Sequence, residues 1–269
     1  MTSREKPLIL MTSDDGIESP GLQAAVRAML DLGEVMITAP CEQQSGAGRS
    51  FSQANDGAIH KIDYPVNGQK VSAYAIHGSP AQSVLYALMD LVPRKPALCV
   101  SGINYGENVG SIVTSSGTVG AALEAANESV PALAVSLQTD KRYHYNHSGE
   151  VDFDVAAHFA REFATRLLAQ PMPAVVDLLK VDIPCSATIQ TPWRTTRLSR
   201  QRYFQPLPSG RRYLAEKRRL GYDVAFDQDT LEPNSDIYAL LIDQVVAVTP
   251  LSLDMTSRVS LDTLGELLI

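Results

Sequence analysis

The chain has 269 residues, 45% hydrophobic and 20% charged, with a formal net charge of -7 and a pI near 5.2. That composition excludes a disordered or fibrous chain and fits one large domain, or one domain with an appendage, while the acidity excludes a general pull towards the nucleic-acid backbone. Three scattered cysteines, Cys41, Cys99 and Cys185, form no C-x-x-C pair, which argues against a disulfide framework and a zinc site alike.

The opening M-T-S-R-E-K-P and the L-I-L-M after it are too short for a signal-peptide core, and no later run reaches membrane-spanning length. A soluble cytoplasmic protein is expected. Residues 7–13 read as an apolar strand ending in a turn. Pro20-Gly21 then opens a helical period in which Leu22, Ala25, Val26, Met29 and Leu30 share one face, and Gly33 ends it. The run E-V-M-I-T-A-P follows at once, which makes a β-α-β unit with parallel strands. Asn67-Gly68, between K-I-D-Y-P and K-V-S-A-Y-A-I, predicts a β-hairpin over 54–76. Helix 80–92, strand 97–101, helix 117–128, strand 132–136, helix 152–169 and strand 178–183 continue the alternation. The strands are apolar throughout, so both faces are expected to be covered. The expected fold class is α/β, a Rossmann-like, doubly wound, mostly parallel sheet.

From 186 the texture changes. Between 186 and 222 nine basic residues (Arg194, Arg197, Arg200, Arg202, Arg211, Arg212, Lys217, Arg218 and Arg219) face Glu216 alone, a local charge of +8 that leaves -15 for the rest. The expected division is a core over 1–185, an arginine-rich extended β-hairpin arm over 186–244, and a strand and helix over 245–269 that return to the core. The arm has two readings, steering of anionic substrate and a solvated or intersubunit structural hairpin.

Four segments carry polar groups at predicted strand ends or helix starts. Asp14-Asp15-Gly16 reads either as a solvated turn, since Asp and Gly are both turn residues, or as a site, and its place just past the first strand, where open parallel sheets bind ligands and two like charges call for a cation, favours the site. Q-Q-S-G-A-G-R-S (43–50) follows the second strand, with Ser45 as a hydroxyl ligand and Gly46 in a lip over the site. S-G-I-N-Y-G-E-N-V-G (101–110) offers the amides of Asn104 and Asn108, and its spacing is not that of a dinucleotide fingerprint. S-S-G-T-V-G (115–120) opens a helix whose free N–H groups suit a phosphate, although Ser116 is equally well placed as an N-cap. Oxygen donors alone favour Mg²⁺ or Mn²⁺ over zinc. His144 and His147, in Y-H-Y-N-H, read as part of a polar loop.

L-I-L-M-T-S-D-D-G-I-E-S-P-G, S-G-I-N-Y-G-E-N-V-G and S-G-T-V-G-A-A-L-E-A, in that order and at matching intervals, resemble the SurE family of stationary-phase survival nucleotidases. The arginine-rich arm and T-P-L-S-L-D-M-T (249–256) look similar. The resemblance implies one divalent cation and hydrolysis of nucleoside 5'- and 3'-monophosphates, or of other small phosphomonoesters. It implies metal ligation by Asp14, Asp15, Ser45 and Asn104, with one of the two aspartates handling the water. Gly46, Asn108, Ser115, Ser116, Gly117 and Thr118 would hold phosphate and substrate. A homodimer or homotetramer with an exchanged arm is implied too, and neither a nucleic-acid duplex nor a membrane is an expected partner. Three positions depart from the family pattern: Ser13 stands where Asn usually precedes the aspartates, Gln82 replaces an acidic residue, and Ser115 takes the place of an aromatic or His. A catalytically idle nucleotide-binding protein is the alternative of a different class. A haloacid-dehalogenase-type phosphatase fits poorly, because Gly16 stands where its second Asp belongs.

Overall fold

The computed structural model describes residues 5–218 and 220–268, and Arg219 of the basic stretch lies outside them. Its elements in chain order are β1 (Leu8–Thr12), α1 (Pro20–Met29), β2 (Glu34–Pro40), β3 (Ile59–Val66), β4 (Gln69–Ile76), α2 (Pro80–Tyr86), β5 (Leu98–Tyr105) and α3 (Gly117–Asn127). There follow β6 (Ala132–Leu137), α4 (Asp154–Ala169), β7 (Leu178–Ile183), β8 (Trp193–Thr195), β9 (Phe204–Leu207), β10 (Gly221–Val224), α5 (Asp236–Leu241), β11 (Val246–Leu251) and α6 (Leu261–Leu268).

The main sheet has the order β3-β4-β2-β1-β5-β6-β7-β11-β8; it is parallel from β4 to β7, β3 is antiparallel to β4, and β11 is antiparallel to β7 but parallel to β8. Successive residues of a strand point to opposite faces, and the core divides accordingly. Ile9 and Met11 of β1, Leu98 and Val100 of β5, and Leu133 and Val135 of β6 join the cluster under α1 and α4. Leu10, Cys99, Ala132 and Ala134 join the one under α2 and α3. Each of these central strands is therefore apolar on both sides, and the sheet is doubly wound. On α1, Leu22, Ala25, Val26 and Met29 are buried at helical spacing. Each of the larger three contributes about 1.5–3 kcal/mol, so Leu22→Asp would break this layer.

Some boundaries differ from those read in the sequence. Helix 80–92 is α-helical only over α2 and passes into a π-helical turn at Ala87–Leu91. Gln82 closes a capping box with Ser79 and also takes a hydrogen bond from Asn55, so the residue at this departure anchors a helix start and the loop before it. The strand expected over 97–101 runs on to Tyr105, because after a bulge Asn104 and Tyr105 pair with Ser136 and Leu137. The hairpin of β3 and β4 forms one edge of the sheet, and the basic segment contains a second, separate hairpin of β9 and β10. Strand β8 and helix α5, both within 186–244, lie against β11.

The chain lays β2 and β4 to one side of β1, and β5, β6 and β7 to the other. The order therefore reverses between β1 and β5, and a crevice opens at their carboxyl ends. Among the described residues no helix is long and apolar enough to cross a membrane.

Candidate active site

Strand β1 ends at Thr12, and Ser13-Asp14-Asp15-Gly16 makes a turn closed by the Gly16 N–H on the Ser13 carbonyl at 3.2 Å, with Gly16 at φ 89°. The Ser13 hydroxyl accepts the Asp15 N–H at 3.2 Å, a local bond of the kind an Asn side chain also makes at such turns. The two carboxylates this turn presents are 4% and 1% exposed. Among the described residues no Lys, Arg or His side chain forms an ion pair with either. Burial holds both carboxyls above the ordinary range, and the Asp14 charge adds to the effect on Asp15.

Their partners differ. Asp15 Oδ1 accepts from Gln43 Nε2 at 2.6 Å and Oδ2 from the Tyr105 N–H at 3.0 Å. Asp14 Oδ1 accepts from the Thr118 hydroxyl at 2.6 Å. A β-carbon added at Gly117 would lie 2.8 Å from Asp14 Oδ2, so the start of α3 comes this close to the carboxylate only because residue 117 is Gly. The loop after β2 is tied in by the Gln44 N–H on the Asp14 carbonyl at 2.7 Å.

A cavity of about 280 Å³ opens here. Asp14, Ser45, Gly46, Asn104, Asn108, Ser115 and Ser116 line it, whereas Asp15, Gly117 and Thr118 are not among its lining residues. Asn104 Nδ2 donates to the Gly106 carbonyl at 2.6 Å, which leaves Oδ1 as its ligating atom. Asn108 Nδ2 donates to Ser136 Oγ at 2.9 Å and weakly to Thr118 Oγ1 at 3.4 Å. Ser116 is an N-cap whose Oγ accepts the Val119 N–H, and Ser115 Oγ donates to the Ile112 carbonyl. What α3 offers a ligand is therefore its main-chain N–H groups, which have no partner within the helix at its first turn.

Several residues of this site escaped the sequence reading. Gln43 bridges Asp15 and the His144 carbonyl, the latter at 2.8 Å. His144, Tyr145, Phe204 and Tyr222 line the cavity, as do Glu107 and Arg202, the last of which the sequence placed only in the basic arm. His147 bonds through Nε2 to the Asp15 carbonyl at 2.7 Å. The Y-H-Y-N-H segment follows β6, another strand end facing the crevice, and that position was the signal that would have found it.

Fold and crevice together define a doubly wound α/β protein with an oxygen-donor pocket at its switch point. A family model described as "Survival protein SurE" matches residues 9–205, and the chain belongs to the SurE family. The 5'-nucleotidase SurE of Thermococcus kodakarensis is 39% identical over 97% of this chain and 98% of its own. That of Thermococcus gammatolerans is 40% identical over 97% and 95%. Among solved structures, the SurE protein from Aquifex aeolicus superposes with a TM-score of 0.75 at 28% identity, covering 98% of this chain and all of that one.

Proposed function

We propose that this protein is a divalent-metal-dependent phosphomonoesterase that hydrolyses nucleoside 5'-monophosphates, and 3'-monophosphates, to nucleoside and phosphate. One observation carries the reading: adjacent carboxylates, 4% and 1% exposed, sit at the switch-point crevice without a cationic side chain paired to them among the described residues. Such charge calls for a cation. Relatives at 39–40% identity carry the name 5'-nucleotidase.

The donor set fits a hard ion: Asp14 and Asp15 carboxylates, Asn104 Oδ1 and the Ser45 hydroxyl would hold one Mg²⁺ or Mn²⁺. When bound, the ion supplies Lewis acidity towards the phosphoryl group and its water. The remaining tasks fall to the chain. At the start of α3 the main-chain N–H of Gly117 would meet charge that develops on the transferring phosphoryl oxygens, while the Thr118 N–H is directed at the Asp14 carboxyl. Thr118 holds Asp14 in place through its hydroxyl. Asp14 lines the cavity, which Asp15 does not, and this suits it to accept the proton of the attacking water. Water adds in line at phosphorus, the P–O ester bond breaks, and the proton that Asp14 took from the water passes to the leaving oxygen, so that the nucleoside leaves as an alcohol. Asp15, with both oxygens engaged, is the fixed ligand. Asn108 reaches phosphate by releasing its 3.4 Å contact to Thr118. Ser115, Ser116 and Gly46 close the rim around the phosphate.

The test is phosphate release from AMP with Mn²⁺ or Mg²⁺ against the same assay in excess chelator. Activity that survives the chelator undiminished would overturn the metal-dependent reading.

The arm over 186–244 and the exposed Leu261, Leu264 and Leu267 of α6 are proposed to meet other copies of the chain in a homodimer or homotetramer. Tyr213, Leu214 and Leu220, exposed on the arm, suit that role. The cytoplasm is the proposed compartment, where three unpaired cysteines stay reduced.

A further inference from the structure

The cavity has two chemically different ends. Near β1 and α3 it is lined by carboxylate, amide and hydroxyl groups, and near the β9–β10 hairpin by rings and Arg202. Two elements distant in sequence supply those rings: His144 and Tyr145 from the loop after β6, Phe204 from β9 and Tyr222 from β10. We propose that this aromatic end holds the nucleobase of a nucleoside monophosphate, with Tyr145 as the stacking ring; the inference rests on the phosphomonoesterase reading and deepens it.

Three of the rings are already committed to one another. Tyr222 lies parallel to His144, with centroids 6.1 Å apart and planes 12° apart. Phe204 stands edge-on to both, at 5.9 Å and 5.2 Å. Burial lowers the His144 pKa and keeps the ring neutral, so Nε2–H donates to the Thr139 carbonyl and Nδ1 accepts from the Tyr222 hydroxyl at 2.7 Å. These three form a fixed platform. Tyr145 differs: it is 63% exposed and meets only Tyr222, at 6.3 Å and 62°. It therefore has free ring surface at the mouth of the cavity. Arg202 spends Nε on the Phe204 carbonyl at 3.2 Å and makes no ion pair among the described residues, so its terminal amino groups are available to acceptors on a base edge.

The chemistry of the occupant follows from this lining. A flat, electron-rich heterocycle stacks on a tyrosine whatever its hydrogen-bonding edge, because every base has a π face. Glu107 also lines the cavity, but its Oε1 is taken by the Tyr203 hydroxyl and its Oε2 is buried. The cavity, at about 280 Å³, lies near the lower end of the ~300–1,000 Å³ range of small-molecule sites. A phosphate anchored at the α3 start and a ring at Tyr145 then use both ends at once, and a sugar phosphate uses only one.

The experiment compares AMP, ribose 5-phosphate and adenosine on the full-length protein with Mn²⁺, in the wild type, Tyr145→Ala and Tyr145→Phe. The exposed position of Tyr145 keeps folding out of the comparison. Expected is a KM for AMP lower than for ribose 5-phosphate in the wild type, raised about tenfold by Tyr145→Ala with kcat unchanged, and restored by Tyr145→Phe. The KM for ribose 5-phosphate stays the same in all three. Adenosine, which carries no phosphate, binds the wild type in calorimetry and binds Tyr145→Ala more weakly. Equal KM values for AMP and ribose 5-phosphate in the wild type, or equal adenosine binding by wild type and Tyr145→Ala, would overturn the base site. Adenosine binding that depends on Tyr145, with no ester hydrolysed, would uphold the base site and remove the phosphomonoesterase reading instead.

Discussion

Gln43 donates to Asp15 Oδ1 at 2.6 Å with the same amide nitrogen that donates to the His144 carbonyl at 2.8 Å. One side chain thus orients a proposed metal ligand and ties it to the loop bearing the aromatic rim. Groups that orient metal ligands typically govern affinity by 10–100-fold. Gln43→Ala is accordingly expected to weaken Mn²⁺ binding by about 10–100-fold, with much of kcat recovered at saturating metal. Titration of activity against Mn²⁺ reads the split, and an unchanged half-saturation point would refute the orienting role.

The same residue shows what was legible in the sequence. Q-Q-S-G-A-G was readable as a loop beside a strand end because the run before it, E-V-M-I-T-A-P, is apolar without a break. The partner that gives Gln43 its task, His144, lies 101 residues further on, and no local pattern links them. Continuous apolar strands, the Asn67-Gly68 turn and the aspartates after β1 all act through neighbours in sequence, so they could be read directly. Asn104 looked like a loop residue because the apolar run ends at Val100, yet a bulge carries β5 on to Tyr105. Phe204 and Tyr222 reach the cavity from two short strands whose pairing only the folded chain reveals. With six residues, α5 is too short for a helical period to show.

Gly117 is a steric requirement of the site. A β-carbon there would lie 2.7 Å from the Asp14 β-carbon and 2.8 Å from Oδ2, nearer than real β-carbons approach. Gly117→Ala must push Asp14 away from its bond with Thr118, and a displacement on the order of 1 Å costs about 10²-fold in rate. Steady-state kinetics at saturating Mn²⁺ would show the fall in kcat, with circular dichroism confirming that the fold persists. Activity within about twofold of wild type would mean that Asp14 does not need this position.

Lys180 on β7 is fully buried, with ammonium contacts to Asp182 and, at 3.1 Å, to Asp236. Those aspartates in turn accept the N–H groups of Asn108 at 2.7 Å and Gly110 at 3.0 Å, so the amide loop of the site rests on this ion cluster. Asp236 also accepts the Ser199 N–H at 2.9 Å, which fastens the base of the arm to the same point. Removing one partner of a buried pair leaves uncompensated charge, at about 3–5 kcal/mol. Lys180→Met should lower the urea midpoint by a corresponding amount, and Asp182→Asn, which leaves Lys180 one charged partner, should lower it less. Equal midpoints for Lys180→Met and wild type would show the cluster to be energetically idle.

Glu107, beside Asn108, is 3% exposed; Oε1 takes the Tyr203 hydroxyl at 2.5 Å, while Oε2 has no hydrogen-bond partner among the described residues. Burial raises this carboxyl to about 7. Because the folded value lies above the unfolded one, the native state holds its proton more tightly. The resulting stability is fully present below the ordinary carboxylate range and is lost as the pH rises through 7. At ~1.4 kcal/mol per pH unit between the two values, the full swing is on the order of 3 kcal/mol. In excess Mg²⁺, which on the proposed metal-dependent reading keeps Asp14 and Asp15 ionised, the urea midpoint should fall between about pH 5 and about pH 8. Glu107→Gln keeps an oxygen for Tyr203 but cannot ionise, so its midpoint should fall less over that interval. Parallel curves for wild type and Glu107→Gln would place the titrating group elsewhere.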